Sequence, residues 1–462
     1  MDMFYQDTIA AIATSSKNGS ISILRVSGEN ALSIVSAIFF NVNNEAIDLQ
    51  QLPTHTIHYG FICQGEKKID EVLVLIMKGP RSYTAEDVVE IHCHGGHYIC
   101  QVILNLLIEK GARTAEPGEF TKRAFLNGRL DMSQAEAVMD VIQSKSQIAL
   151  ENSLHQLRGN LKKKIENLRK IILEDVAYLE AALDDPEHIS LDDFSETIED
   201  HVSLLRKETD HLIQNSHNGR MIKEGIQTVI LGKPNVGKSS LLNCILRENR
   251  AIVTDVPGTT RDTLEEDVMI GNLLLHLIDT AGIHETDHKV ESIGIEKTRE
   301  SLKKADFVLC VVDASEALTK EDREIFRMIG PHPGVILYNK TDLPSKVEKK
   351  EIAALSDKKI ISFSALTGEG LESLELYLSQ QFLEEKMDPE QELYITNTRQ
   401  KEALLRTKDS LEKVMESIKL GMPEDLYAID LTNAYESLGQ IIGETLEEDI
   451  IDKIFHDFCM GK

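Results

Sequence analysis

The sequence predicts a multidomain chain of α/β and α+β parts, with an α/β block inserted into a helical domain. Three observations carry this. Between residues 225 and 378, near-continuous apolar runs end in polar loops and alternate with amphipathic stretches. On both sides of that block, apolar residues recur at three- and four-residue spacing. Before all of it, residues 1–120 mix short β-rich runs with turns.

The first part is read as α+β from "SISILRVSG" (20–28), "EVLVLIMKG" (71–79) and "DVVEIHCHGG" (87–96), followed by one helix over 96–112 ending at Gly111. From Glu119 to Asn218 the pattern turns helical. Leu154, Leu157, Leu161, Ile165, Leu168, Ile172 and Leu179 share one helix face, and Ile198, Val202, Leu205 and Leu212 resume it. Between them "LDDPEHISLDDFSE" (183–196), with Pro186 and many acids, reads as an exposed loop.

In the block, "TVILG" (228–232), "LLLHLIDTAG" (273–282), "DFVLCVVD" (306–313), "GVILYNKTD" (334–342) and "KIISFSAL" (359–366) look like buried parallel strands. Gly271-Asn272 predicts one antiparallel hairpin at the sheet edge. After Gln381, Leu404, Leu405, Leu411, Val414, Met415 and Ile418 make one stripe. Leu431, Ala434, Leu438 and Ile441 make another. The expected borders are 1–119, 120–218, 219–380 and 381–462, the second and fourth segments forming one discontinuous helical domain.

Composition bounds the function. The chain has 462 residues, 50 basic against 77 acidic, a net charge of −27. A protein that grips nucleic acid by itself shows a basic face, because phosphate neutralisation supplies most of the affinity. If this chain works on RNA, a basic partner is expected to do much of the holding; the plainer reading is that acidity keeps the protein soluble. No apolar run approaches the ~20 residues that span a bilayer. The N-terminus lacks the pattern of a signal peptide. Six scattered cysteines do not make a disulfide scaffold. A cytoplasmic protein with no membrane partner is expected.

"GKPNVGKS" (232–239) follows a strand and opens a helix, the context in which G-x-x-x-x-G-K-[ST] cradles phosphates. Lys238 offers charge to the β- and γ-phosphates, and Ser239 a hydroxyl to Mg²⁺. "NKTD" (339–342) ends a later strand, where a buried Asp342 would accept two hydrogen bonds from guanine and reject adenine. "SAL" (364–366) backs the base. "TDVPGTTRD" (254–262) lies where a first switch loop belongs, with Thr260 as second hydroxyl for Mg²⁺. In "DTAG" (279–282), Asp279 would hold Mg²⁺ through water and Gly282 would offer its N–H to the γ-phosphate. Five motifs in order predict a Ras-like P-loop GTPase domain. The nucleotide contacts are expected from Asn235, Val236, Gly237, Lys238, Ser239 and Ser240; from Thr254, Asp255, Val256, Pro257, Gly258, Thr259 and Thr260; from Asp279, Thr280, Ala281 and Gly282; and from Asn339, Lys340, Asp342, Ser364, Ala365 and Leu366.

Ile283 follows DTAG where many GTPases carry the water-orienting glutamine, so another group must order the water. Asn235, in mid-loop, has an amide oxygen suited to a monovalent cation beside the phosphates, and K⁺ there would do the electrostatic work of an arginine finger. His92, Cys93, His94, His97 and Cys100 resemble metal ligands. A strand over "VVEIHCH" turns His92 and His94 away from Cys93, however, and no second ligand pair follows, so no metal site is assigned.

Taken together, "GKPNVGKSS", "TDVPGTTRD", "DTAGIHETD", "VESIGIEKT", "DTIAAIAT", "SYTAEDVVEIHCHGG", "EPGEFTKRAFLNGRLDMSQAEAVMD" and the terminal "FCMGK" resemble the MnmE (TrmE) family of tRNA-modifying GTPases over essentially the whole chain. The resemblance implies an N-terminal domain that binds 5-formyltetrahydrofolate or a related tetrahydrofolate and makes a homodimer. It implies GTP hydrolysis dependent on Mg²⁺ and K⁺. It also implies a heterotetramer with the flavoprotein MnmG (GidA), which brings FAD and consumes NADH, and addition of an aminomethyl or carboxymethylaminomethyl group to the wobble uridine of certain tRNAs. By the same resemblance Asn235, Thr254, Val256 and Thr259 match K⁺ ligands, and Ser239 and Thr260 match Mg²⁺ ligands. Glu291 matches the acid that orders the hydrolytic water, which answers Ile283. Arg25, Glu90, Arg129 and Lys462 match folate contacts. Cys459 matches a cysteine proposed as nucleophile or redox group; read alone, it is a small packed hydrophobe. Met460 and Ala85 are mild departures from the family pattern. The competing reading is a regulatory switch GTPase of ribosome assembly or stress response without modification chemistry; a third is a folate-handling enzyme with a regulatory G domain.

Overall fold

The structure, a computed structural model, describes residues 7–14, 19–185, 188, 194–248, 266–278, 299–384, 392–456, 458, 460 and 461. They form two compact units. One comprises 1–139, 162–166 and 439–462; the other comprises 140–161 and 167–438.

The first unit is built on a seven-stranded sheet ordered β3-β4-β5-β6-β2-β1-β7. Its strands are β1 (Ile9–Ile12), β2 (Ile21–Ser27), β3 (Phe39–Phe40), β4 (Thr56–Gln64), β5 (Lys67–Met77), β6 (Val88–His94) and β7 (Arg113–Thr114). Pairing is antiparallel except between β1 and β7. Alternation sorts the two faces. Leu24, Val26, Val74, Ile76, Val89 and Ile91 are buried against α1 (Ala31–Ser36) and α2 (His97–Glu109), the predicted helix. Arg25, Glu90, His92 and Leu73 lie on the other face, with Arg25 opposite Glu90 and His92 opposite both Ile23 and Leu73.

A buried cation fixes the lower edge of this unit. Arg123, on α3 (Glu119–Leu126), is fully buried. It donates to Asp7 Oδ1 (2.7 Å), to Glu119 Oε1 (3.0 Å) and to Glu86 (3.3 Å). Arg113 brings a second guanidinium to Glu119 (2.7 Å) and Asp7 (2.7 Å). Removing one member of such a cluster strands a charge in the interior, a cost of about 3–5 kcal/mol, well above that of an exposed pair. The chain end belongs to the same unit. α14 (Glu448–His456) packs on α3 through Phe125 and Phe455, with ring centroids 6.3 Å apart. A β-carbon on Gly118 would lie 2.5 Å from the Phe455 carbonyl oxygen.

In the second unit a six-stranded sheet has the order β13-β12-β11-β8-β10-β9. Its strands are β8 (Ile226–Leu231), β9 (Glu266–Ile270), β10 (Leu273–Ile278), β11 (Phe307–Asp313), β12 (Gly334–Asn339) and β13 (Lys359–Ser362). All neighbours are parallel except β9, which turns at Gly271 (φ 57°) to close the edge. This is the predicted hairpin. Helices α8 (Lys238–Glu248), α9 (Lys320–Ile329), α10 (Lys349–Ala353) and α11 (Leu371–Ser379) complete the block, a π turn following over Gln380–Glu384.

Helices preceding and following the block meet. α7 (Phe194–Glu224) packs along α12 (Thr398–Lys419), tied by Lys408–Asp210 (2.7 Å). Asn215 adds a bond to Glu392 (2.7 Å). Gly219 makes the closest approach, since a β-carbon there would stand 2.1 Å from the Ile395 carbonyl oxygen. The inserted α/β block and the discontinuous helical partner are thus both present.

Two expectations need correction. The single helix face drawn from Leu154 to Leu179 is two helices, α5 (Gln147–Leu157) and α6 (Asn160–Asp184), because Gly159 adopts a left-handed φ of 82°. Leu405 does not join its stripe: Leu404 is buried, whereas Leu405 turns outward, 45% exposed, one residue round the helix. Of the acidic 183–196 stretch, expected as an exposed loop, 183–184 close α6 and 194–196 open α7, and residues 186, 187 and 189–193 lie outside the described residues. The remaining helices are α4 (Met132–Gln143) and α13 (Glu424–Ile442). Among the described residues no helix is long and apolar enough to cross a membrane.

Burial pushes the Glu119 carboxyl up from its ordinary 4.5, but Arg113, the Glu116 N–H and Arg123 outweigh it and hold it below that value. A carboxyl lowered by folding stabilises fully above its ordinary range and loses that contribution as pH falls through the folded value. Melting temperatures measured from pH 6 downward should therefore fall more steeply below pH 4.5 in the wild-type chain than in Glu119→Gln, whose stability at neutral pH is lower.

Candidate functional site

In the second unit the site lies at one edge of the six-stranded sheet. Strands buried on both faces can place polar residues only at their ends, so β8, β11, β12 and β13 deliver loops to one sheet edge. After β8 the chain turns at Gly232 (φ 155°), where a β-carbon would meet the Val311 carbonyl oxygen at 2.6 Å and Val236 Cγ2 at 2.8 Å. Asn235 takes a left-handed φ of 66°, and α8 starts at Lys238 with its N–H groups facing the loop. The Lys238 ammonium donates to the carbonyls of Gly232 (2.7 Å) and Lys233 (2.9 Å). Burial depresses its pKa.

Asn339 joins three loops. Buried at the end of β12, it donates from Nδ2 to the Val236 carbonyl (2.7 Å) and accepts at Oδ1 from the Ala365 N–H (3.0 Å). Gly237 permits this, because any β-carbon there would stand 2.4 Å from Asn339 Nδ2. Lys340 reaches the Asn235 carbonyl (2.9 Å). Ser364, fully buried, donates to Asp342 Oδ1 (2.6 Å). Asp342 itself is exposed rather than buried as expected: it sits on the rim of the edge, oriented by Ser364. Leu366 is 84% exposed at the same rim.

Of the predicted nucleotide residues, the structure therefore brings together Asn235, Val236, Gly237, Lys238, Asn339, Lys340, Asp342, Ser364 and Ala365, with Ser239 and Ser240 on the first turn of α8. Thr254, Asp255, Val256, Pro257, Gly258, Thr259, Thr260, Asp279, Thr280, Ala281, Gly282, Ile283 and Glu291 lie outside the described residues, as do Cys459 and Lys462.

The first unit holds a second cluster. Glu90 Oε1 accepts from Arg25 Nε (2.9 Å) and Nη2 (2.8 Å), while Oε2 lies 3.5 Å from His92 Nε2. The Tyr83 ring has the Arg25 guanidinium 5.1 Å and the Arg129 guanidinium 5.0 Å from its centroid. Tyr83 is held in turn by a hydroxyl contact with Thr121 (2.8 Å). The chain end arrives here as well. Gly461 offers its carbonyl to Arg25 Nη1 at 3.4 Å, and a β-carbon on Gly461 would press on the Ile12 carbonyl oxygen at 2.6 Å. Cys93 points into the core, its Sγ 4.0 Å from Cys100 Sγ, with burial pushing its thiol up to about 12. His92 and His94 occupy the opposite face, His94 bonded to Asp70 (2.7 Å). Among the described residues no group of three or more His, Cys, Asp or Glu side chains is placed to hold a metal.

The family profile described as "MnmE helical domain" matches residues 132–459, and that described as "GTP-binding protein TrmE N-terminus" matches 8–129. The protein from Lachnoclostridium phytofermentans named tRNA modification GTPase MnmE is 52% identical over 456 residues, covering 99% of each chain. Proteins of the same name from Clostridioides difficile (46% over 465 residues, 100% of each chain) and Geobacillus kaustophilus (43% over 460 residues, 99% of each) are also similar. The chain belongs to the MnmE family of tRNA modification GTPases.

Two buried residues of this MnmE-family site were missed by sequence reasoning. Asp313, at the end of β11, ion-pairs with Lys340 (2.5 Å) and accepts from Ser315 N–H (2.8 Å) and Oγ (2.7 Å). Burial raises its carboxyl, but Lys340 and Ser315 prevail and keep it below the usual range. An acid closing a six-residue apolar run, with Ser two residues on, was the available signal. Lys233 is buried between Glu316 (3.1 Å) and Asp322 (3.4 Å), where Asp322 also closes the capping box of α9 with Thr319. Its partners lie about eighty residues away, and nothing local points to them.

Asn339→Ala removes both bonds and leaves the Ala365 N–H without its acceptor, a loss of about 1–3 kcal/mol. Dissociation of a fluorescent guanosine diphosphate, followed by stopped flow, should accelerate by about one to two orders of magnitude.

Proposed function

We propose that this MnmE-family GTPase hydrolyses GTP with Mg²⁺ and K⁺. In this reading it joins the flavoprotein MnmG to add an aminomethyl or carboxymethylaminomethyl group at C5 of the wobble uridine of certain tRNAs, using a tetrahydrofolate one-carbon unit, in the cytoplasm. FAD and NADH enter through the partner. The observation that carries the reading is similarity to named tRNA modification GTPases along the full chain, 43–52% identical over at least 99% of its length.

The nucleotide edge suits the phosphates and base. Gly232 and Gly237 leave room that a β-carbon would fill, and the N-terminus of α8 presents N–H groups. Lys238 neutralises phosphate charge, and Asp342 accepts from guanine. Ser239 and Thr260 would hold Mg²⁺. Asn235, Thr254, Val256 and Thr259 would hold K⁺, which supplies positive charge beside the β- and γ-phosphates. Glu291 orients the attacking water in place of a glutamine.

Arg25, Glu90 and Arg129, with Lys462 beyond Gly461, suit a folate: a carboxylate acceptor for the pterin edge and guanidinium groups for the glutamate tail. The buried His92 Nε2 atom, which has no hydrogen-bond partner among the described residues, adds a polar atom to that wall. Cys459 is assigned to the modification chemistry. A homodimer is supported by the open face of the first sheet. Ile21 (65% exposed) and Ile57 (62%) flank Tyr59 and Leu73 there, paired in register across β4, β5, β6 and β2. Patches of this kind mark association surfaces. The domain borders 1–119, 120–218, 219–380 and 381–462 are part of the same reading.

GTPase rates in K⁺ and in Na⁺, with Glu291→Ala alongside, test the hydrolysis. Stimulation of at least about tenfold by K⁺, lost in the variant while GTP still binds, is expected. Equal rates in both salts would end the K⁺ mechanism. Nucleoside mass spectrometry of tRNA from cells lacking the gene should show loss of the modified wobble uridine; unchanged nucleosides would favour a switch GTPase.

A further inference from the structure

We infer that Asp313 is a positioning residue for the monovalent cation, acting through Lys340 on Asn235. The inference rests on the reading of Asn235 as a K⁺ ligand. Asn235 is exposed, and its backbone sits in the left-handed region at φ 66°, which asparagine enters more readily than most other non-glycine residues do. Among the described residues, the side chain seen to hold its carbonyl is Lys340, which donates from 2.9 Å. Lys340 is itself left-handed, at φ 63°, a conformation uncommon for a lysine, so the lysine end of this bond is held by its surroundings.

Asp313 fixes the bond from below. Its carboxylate is 2% exposed and divides its oxygens: Oδ2 takes Lys340 at 2.5 Å, and Oδ1 takes the N–H and hydroxyl of Ser315. β11 and β12 pair in parallel with Asp313 opposite Asn339, so the two strands deliver carboxylate and ammonium side by side. The ammonium is therefore shared between one fixed anion and one loop carbonyl. Without the anion it is free to leave for water, and the Asn235 carbonyl loses its donor. The backbone that carries the Asn235 amide then loses the bond that fixes it.

The test uses the full-length chain with Mg²⁺ and saturating guanosine 5′-(β,γ-imido)triphosphate. Melting temperature is recorded as Na⁺ is replaced by K⁺ at constant ionic strength, and GTPase activity is titrated in parallel. Asp313→Asn should raise the K⁺ concentration at half-maximal thermal stabilisation by about five- to tenfold. Asp313→Glu should recover part of the shift. Because Asp313→Asn leaves the Lys340 ammonium without its counterion, the single variant Lys340→Met and the neutral pair Asp313→Asn/Lys340→Met are measured beside it. The pair should show the same raised midpoint as the worse single variant, not the sum of two shifts. A residue of merely structural importance would lower the melting temperature in both salts and leave the K⁺ midpoint in place. A wild-type midpoint in the double variant, with K⁺ still stabilising the wild-type chain, would overturn the role of Asp313 alone. Equal stabilisation of the wild-type chain by Na⁺ and K⁺ would overturn the cation reading and this inference with it.

Discussion

The nucleotide edge depends on one side chain that ties its loops together. Asn339 spends both ends of its amide on backbone, one on the phosphate loop at Val236 and one on the base loop at Ala365. A carboxamide is the small side chain that donates and accepts from adjacent atoms, so replacement by Asp or Leu would break one bond or both. Its reach is set by the parallel pairing of β11 with β12, and its clearance by the missing β-carbon of Gly237. Sheet register, glycine position and hydrogen bonding therefore specify a single geometry. Lys340–Asn235 and Ser364–Asp342 then extend it to the two ends of the edge.

Charge is used differently in the two units. At the nucleotide edge Lys340 is set against Asp313, and Lys233 against Asp322 and Glu316, whereas Lys238 is held by backbone carbonyls. In the first unit Arg123 lies wholly inside, neutralised by Asp7, Glu86 and Glu119, and two more guanidiniums stand around Tyr83. These clusters engage only a handful of the chain's 50 basic residues, set against 77 acidic ones.

The nucleotide loops were legible in the sequence because phosphate and base recognition demand fixed residue types at fixed offsets after a strand. The parallel block was legible because strands covered on both faces must be apolar throughout, as "DFVLCVVD" is. What escaped was set by distance along the chain. Lys233 finds Asp322, and Arg123 finds Asp7, only after the fold has formed. Tyr83 gains meaning from two arginines on other elements. The break at Gly159 was hidden because the apolar spacing continues through it. The outward turn of Leu405 was hidden because adjacent leucines leave open which of them faces the core.

The close approach of Gly219 to Ile395 makes the whole α/β block a side branch of the helical scaffold. Its two connections leave from neighbouring points. In polymer terms the scaffold has already closed a loop of some 175 residues, and how that loop is filled changes the closing entropy only slowly, by about 0.6 kcal/mol per doubling of its length. Insertions in the block's surface loops therefore add little to the closing entropy of the scaffold, while the apolar core that Met221, Ile222 and Tyr394 share with the strands makes the block and its helices one cooperative body.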